Sequence, residues 1–77
     1  MKKEKFLESL QDVLQRDEEC KESDILETYP EWDSLSKMAL MAFFDQNFHI
    51  RLTIADFDNI TTVKQLMDLA GNKIDAV

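Results

Sequence analysis

Only one proline and one glycine, Pro30 and Gly71, occur in 77 residues, and neither lies inside an apolar stretch that carries a helical period. So few breakers leave long segments free to run as helix. Phe6, Leu7, Leu10, Val13 and Leu14 fall at offsets 0, 1, 4, 7 and 8, one face of a helix, with polar residues on the other. This predicts a first helix over about residues 3–16. Its start has no good capping residue and is expected to fray, whereas Arg16 suits its C-terminal end electrostatically.

Residues 17–33 then form a long connection that opens on the charge-rich Asp17-Glu18-Glu19-Cys20-Lys21-Glu22 and closes on Tyr29-Pro30-Glu31. Pro30 pushes Tyr29 out of helical geometry. A connection of this length in a small domain is usually functional or disordered. Ile25, Leu26 and Tyr29 give it apolar anchors, so it is expected to pack across the bundle with one helical turn near Asp24–Glu27.

Asp33 is a strong N-cap for a second helix running to about Asn47. Leu35, Met38, Ala42 and the group Met41, Phe44 and Phe48 make that helix apolar around much of its circumference, which predicts a central place in the bundle. The run from Leu52 to Phe57 is read as a loop followed by a short helix. A strand is the alternative, but no second strand is predicted to pair with it. Thr62 and Gln65 fit a capping box for the last helix, with Thr61 a competing cap. Val63, Leu66, Met67 and Ala70 supply its inner face, Gly71 suits the position just past its end, and residues 72–77 read as a flexible tail. The expected architecture is all-α: one domain over residues 1–77, a small four-helix bundle of three main helices, a short third helix and a long loop after the first.

Sixteen acidic against nine basic residues give a formal charge of −7, with no Lys/Arg cluster to offset it. That balance disfavours nucleic acid and anionic membrane as partners. It fits either basic docking surfaces on a partner or solubility alone. No apolar run approaches the length of a membrane span, and Met1-Lys2-Lys3-Glu4-Lys5 lacks the apolar stretch of a signal peptide. A single cysteine, Cys20, excludes an internal disulfide and fits a reducing compartment, so a cytoplasmic location is expected.

Ser34 is the leading candidate for chemistry. At the first helical position its hydroxyl is expected to face solvent beside four amides without intrahelical partners. A phosphodiester attached there gains from those amides and from the helix dipole. Leu35 is expected to turn inward and fix the register. The plainer reading is that Asp33-Ser34 is a helix start, which both residues favour. Other candidates read as structural. Cys20 among carboxylates is a poor thiolate, and His49, the only histidine, stands about 20 Å along the helix from Ser34 and suits a helix end. Asp56-x-Asp58 begins like a calcium loop, but Ile60 and Thr61 occupy positions that need a ligand and a glycine. Trp32 is either a loop anchor or a partner contact beside Ser34.

The chain resembles the acyl carrier proteins over most of its length. The resemblance is carried by the helix–long loop–helix–short helix–helix layout, by Asp33-Ser34-Leu35, by the apolar second helix ending at Phe48, and by Ile60-Thr61-Thr62-Val63 leading into the last helix. It implies that Ser34 carries covalent 4′-phosphopantetheine taken from coenzyme A, with Asp33 beside the metal–phosphate centre of the modifying transferase. The arm's thiol would then hold an acyl or aminoacyl thioester, and the chain would be a carrier rather than an enzyme. The implied partners are a phosphopantetheinyl transferase, an acyl or aminoacyl ligase, and an acyltransferase or synthase that unloads the arm. Fatty-acid carriers usually have glycine two residues before this aspartate, where Glu31 stands here, and they line the second helix with acids. The positions here include Ser36, Lys37, Ala39 and Gln46. The Trp32-Asp33-Ser34-Leu35 form is similar to specialised carriers of dedicated pathways, and Asp56-Phe57-Asp58 faintly resembles D-alanyl carriers. Trp32, Lys37, Met41 and Arg51 are the expected partner contacts. Met38, Ala42, Phe44, Leu52, Phe57, Ile60 and Leu66 are the expected lining of an acyl cavity, which bulky Phe44 and Phe57 would partly fill in favour of a short cargo. The competing reading is an acidic helical interaction module that is never modified; a small hydrolase is excluded by the lack of an enclosed site and of partners for one histidine. A monomer is expected.

Overall fold

The computed structural model describes residues 1–75. Its helices are α1 (Lys3–Leu14), α2 (Ser34–Phe48), α3 (Ile54–Asp58) and α4 (Val63–Asp68), with 3₁₀ turns at Leu26–Thr28 and Gly71–Lys73. The expected order and fold class stand: a small all-α bundle with a short third helix and a long connection after the first.

α1 stops two residues before the expected end. Gln15 takes a left-handed conformation (φ 57°), and the amides of Gln15 and Arg16 close on the carbonyls of Asp12 and Gln11. Arg16 is therefore not a helix residue. Its side chain turns to the connection instead, where Nη1 donates to Glu31 at 2.8 Å. No side chain caps the start of α1. The C-terminal segment braces it instead: the Met1 ammonium donates to the Lys73 carbonyl at 2.9 Å, and the Asp75 amide donates to the Met1 carbonyl at 2.8 Å. This corrects the expectation of a flexible tail from residue 72. Gly71 adopts the left-handed φ of +61° that glycine tolerates best, the chain turns, and Ile74 is buried in the core. Residues 76–77 of the expected tail lie outside the described residues.

The long connection is pinned rather than loose. Leu26 and Tyr29 are buried, while Ile25, expected as a third anchor, is exposed. Ile25 pairs its backbone with Thr62, and the Leu26 amide donates to the Thr61 carbonyl. In the other direction, the amides of Val63 and Lys64, which open α4 and have no intrahelical acceptor, donate to the carbonyls of Asp24 and Glu22. Thr62 supplies the cap itself, accepting from the Gln65 amide while the Gln65 side chain returns to the Thr62 amide. Of the two threonines, Thr62 is the cap.

The core is aromatic. Phe6 of α1 meets Phe43, Phe44 and Phe48 of α2, with ring centroids 6.0 to 6.3 Å apart, and Phe44 and Phe48 meet at 5.2 Å. Leu10, Leu26, Leu40, Val63 and Leu66 are fully buried around them.

Candidate functional site

The start of α2 is built by Asp33 and Ser36. Asp33 is extended (φ −140°), its Oδ1 accepts from the Ser36 amide at 2.9 Å, and the Ser36 hydroxyl accepts from the Asp33 amide at 3.0 Å. This reciprocal cap satisfies two backbone donors that a helix start would leave open. It also explains why Ser36, a polar residue, is buried. Ser34 lies at the first helical position, exposed, as expected.

Leu35 does not turn inward. It is 77% exposed, and Met38, one helical turn on, is 60% exposed. The buried positions of α2 are Ser36, Leu40, Phe44 and Phe48, spaced four apart. Ala42 lies on the exposed side with Leu35 and Met38. The capping box sets this phase: with Ser36 folded back onto Asp33, Leu40 and Phe44 follow on the inner face, and Leu35, Met38 and Ala42 are carried outward. Of the expected cavity lining, Met38 and Ala42 are thus corrected to the outer face. Phe44, Leu52, Phe57 and Leu66 are buried in one cluster with Ile60 packed against it. Leu40, Phe43 and Phe48, absent from the expected lining, belong to the same packing.

Two of the four expected partner contacts come together. Trp32 is half-buried and meets Phe57 of α3 edge-on at 5.8 Å between centroids, and Lys37 Nζ lies 5.4 Å from the Trp32 ring centroid. Trp32 is an anchor of the α2 start against α3. Met41 is half-buried against the core, and Arg51 is exposed. Beside Asp33, a surface groove of about 350 Å³ runs between the end of α1 and the start of α2, lined by Val13, Leu14 and Gln15 on one side and Leu35, Ser36 and Ala39 on the other.

Where the long connection meets the end of α1 lies a cluster that the sequence did not announce. The Arg16 side chain is 8% exposed. Its guanidinium lies 3.7 Å above the Tyr29 ring centroid, and it is paired to Glu31 and, more distantly, to exposed Glu18. The Tyr29 hydroxyl donates to Asp24 at 2.6 Å. That bond holds the Asp24 carboxyl below the usual carboxylate range, while burial, with Asp24 adding to it, pushes the Tyr29 phenol well above its ordinary value. Cys20 is buried beside them, and burial raises its thiol pKa against the opposing pull of Tyr29 and Arg16. The thiol is held protonated, as expected, but mainly by desolvation rather than by neighbouring carboxylates. Glu31 immediately precedes Trp32 and Asp33, so Arg16 ties the end of α1 to the segment that presents Ser34.

His49 ends α2 in a left-handed conformation (φ 57°), a helix-end residue as expected. Asp56 turns its carboxylate back to cap α3, accepting from the Thr53 amide at 2.7 Å, which removes it from any calcium loop. Among the described residues no group of three or more His, Cys, Asp or Glu side chains is placed to hold a metal ion, and no helix is long and apolar enough to cross a membrane. No protein-family model, no curated protein and no solved structure matches the chain.

Proposed function

We propose that the chain is a phosphopantetheine-dependent carrier of acyl or aminoacyl thioesters in a specialised biosynthetic pathway, with the arm on Ser34. The observation that carries this reading is the placement of Ser34: exposed, at the first position of the longest helix, on a start fixed by Asp33 and Ser36. A hydroxyl there is open to an incoming enzyme, and a phosphodiester on it lies where the helix dipole favours negative charge.

In the loading step the Ser34 oxygen bonds to the phosphorus that bears the pantetheine arm of coenzyme A. The bond from that phosphorus to the leaving phosphate of 3′,5′-ADP breaks, and the hydroxyl proton passes to a base of the transferase. The carrier supplies only the nucleophile; Asp33 faces the transferase's metal–phosphate centre, and a ligase and an acyltransferase or synthase then load and unload the thiol. The same reading makes the protein a cytoplasmic monomer.

A second reading is favoured by the exposed Leu35, Met38 and Ile54, the kind of surface by which an unmodified acidic module would dock on a partner. Intact mass separates the two. After incubation with coenzyme A, magnesium and a broad-specificity phosphopantetheinyl transferase, the wild type is expected to gain one arm and Ser34→Ala none. No gain in folded wild type would favour the docking module.

A further inference from the structure

Resting on the carrier reading, we infer that Trp32 and Phe57 act as a plug that keeps the cargo out of the bundle, so that the chain carries short or polar thioesters exposed to solvent. A long alkyl chain on an arm at Ser34 gains by leaving water, and one way into the bundle lies between the start of α2 and α3, where Trp32 and Phe57 meet. That space is occupied. Trp32, two residues before Ser34, packs its edge against Phe57, which is itself 3% exposed. The Lys37 ammonium lies 5.4 Å from the indole's ring centroid, within the range of a cation–π contact. Phe44 and Leu66, in the same core cluster as Phe57, are fully buried. Between α2 and α3 an alkyl chain can enter only by displacing two packed aromatic rings, and close-packed interiors do not yield such volume without repacking; the groove between α1 and α2 stays at the surface. An acetyl, hydroxyacyl or aminoacyl group has little apolar surface to bury and does not need the space. Trp32 is thus a specificity-determining residue that acts through occupied volume rather than by touching the thioester.

The test compares octanoyl- with acetyl-loaded protein in wild type, Trp32→Ala and the milder Phe57→Leu, reading the melting temperature and the amide NMR shifts of Phe44, Phe57 and Leu66. A cargo that binds the folded interior raises the melting temperature by mass action. In wild type the two cargoes are expected to give the same melting temperature and the same core shifts. In at least one folded variant the octanoyl form is expected to melt higher than the acetyl form and to shift those amides. A wild-type octanoyl form that melts higher and moves the core amides would overturn the inference, as would variants that fold yet treat both cargoes alike. If the transferase fails to load Ser34, the carrier reading is what suffers. The plug is then decided on a Cys20→Ala, Ser34→Cys chain conjugated to octanoyl- or acetyl-pantetheine through a thiol-reactive group, with the same readouts and the same overturning results.

Discussion

The guanidinium of Arg16 stacks 3.7 Å above the ring centroid of Tyr29, thirteen positions further along the chain, with its other edge bound to Glu31. Both residues belong to the stretch between α1 and α2, and the contact closes that stretch on itself. The Arg16 Nε is buried without a hydrogen-bond partner, so the charge depends on Glu31 and the ring face for compensation.

Arg16→Ala is accordingly expected to destabilise the fold by about 2 kcal/mol, below the range for severing a wholly buried pair because Glu31 keeps contact with water. Arg16→Lys is expected to recover only part of this, since an ammonium cannot both stack and bridge. Urea unfolding of the three proteins checks the order.

The Tyr29–Asp24 bond predicts two limbs in the dependence of stability on pH. Asp24 has a depressed folded pKa, so its contribution is present above the unfolded value of about 4 and lost as pH falls through the folded value. Tyr29 has a raised folded pKa, so its contribution is complete below about pH 10 and lost as pH climbs further, because only the unfolded chain ionises. Tyr29→Phe is expected to flatten both limbs and to lower stability near neutrality by about 1 kcal/mol. Denaturation midpoints across acid and alkaline pH decide it; limbs of unchanged slope would count against the assignment.

At the start of α2 the cap and the carrier role of Asp33 are separable. Asp33→Ala is expected to lose about 1 kcal/mol of stability, and Asp33→Asn only a few tenths, since asparagine caps equally well. Under the carrier reading both variants load poorly, because both lack the charge offered to the transferase. Asp33→Asn that loads like wild type would confine the residue to capping.

Leu35 and Phe44 test the phase of α2. Leu35→Gln is expected to change stability by less than about 0.5 kcal/mol, as for an exposed site. Phe44→Leu, which leaves a void among three other phenylalanines, is expected to lose about 1–2 kcal/mol. Thermal melts of the pair suffice, and a larger loss for Leu35→Gln would reverse the faces.

The helix order, the Asp33 cap, the Thr62 cap and the exposure of Ser34 were legible because each depends on neighbours within four residues. The inner face of α2 was not. With Leu35, Met38, Leu40, Met41, Phe43 and Phe44 all apolar, periodicity supplies a helix but not its rotation. The deciding contact is Ser36 folding back on Asp33, which puts a polar side chain inside and two large apolar ones outside. The Arg16 cluster was hidden for a different reason. Its partners stand thirteen and fifteen positions away in a stretch without period, where charge counts alone suggest a solvated loop. The packing of Ile74 depends on the backbone of Met1, at the far end of the chain, and no local pattern marks it.

The carbonyls of Glu22 and Asp24 accept from the first amides of α4, and the Leu26 amide donates back to Thr61. α4 is only six residues long, too short to hold itself in water. The stretch after α1 and the last helix are therefore expected to open as one cooperative unit. In hydrogen exchange the amides of Leu26, Val63 and Lys64 should share one opening free energy, and whatever pries the stretch away, a docking enzyme included, unlatches α4 with it.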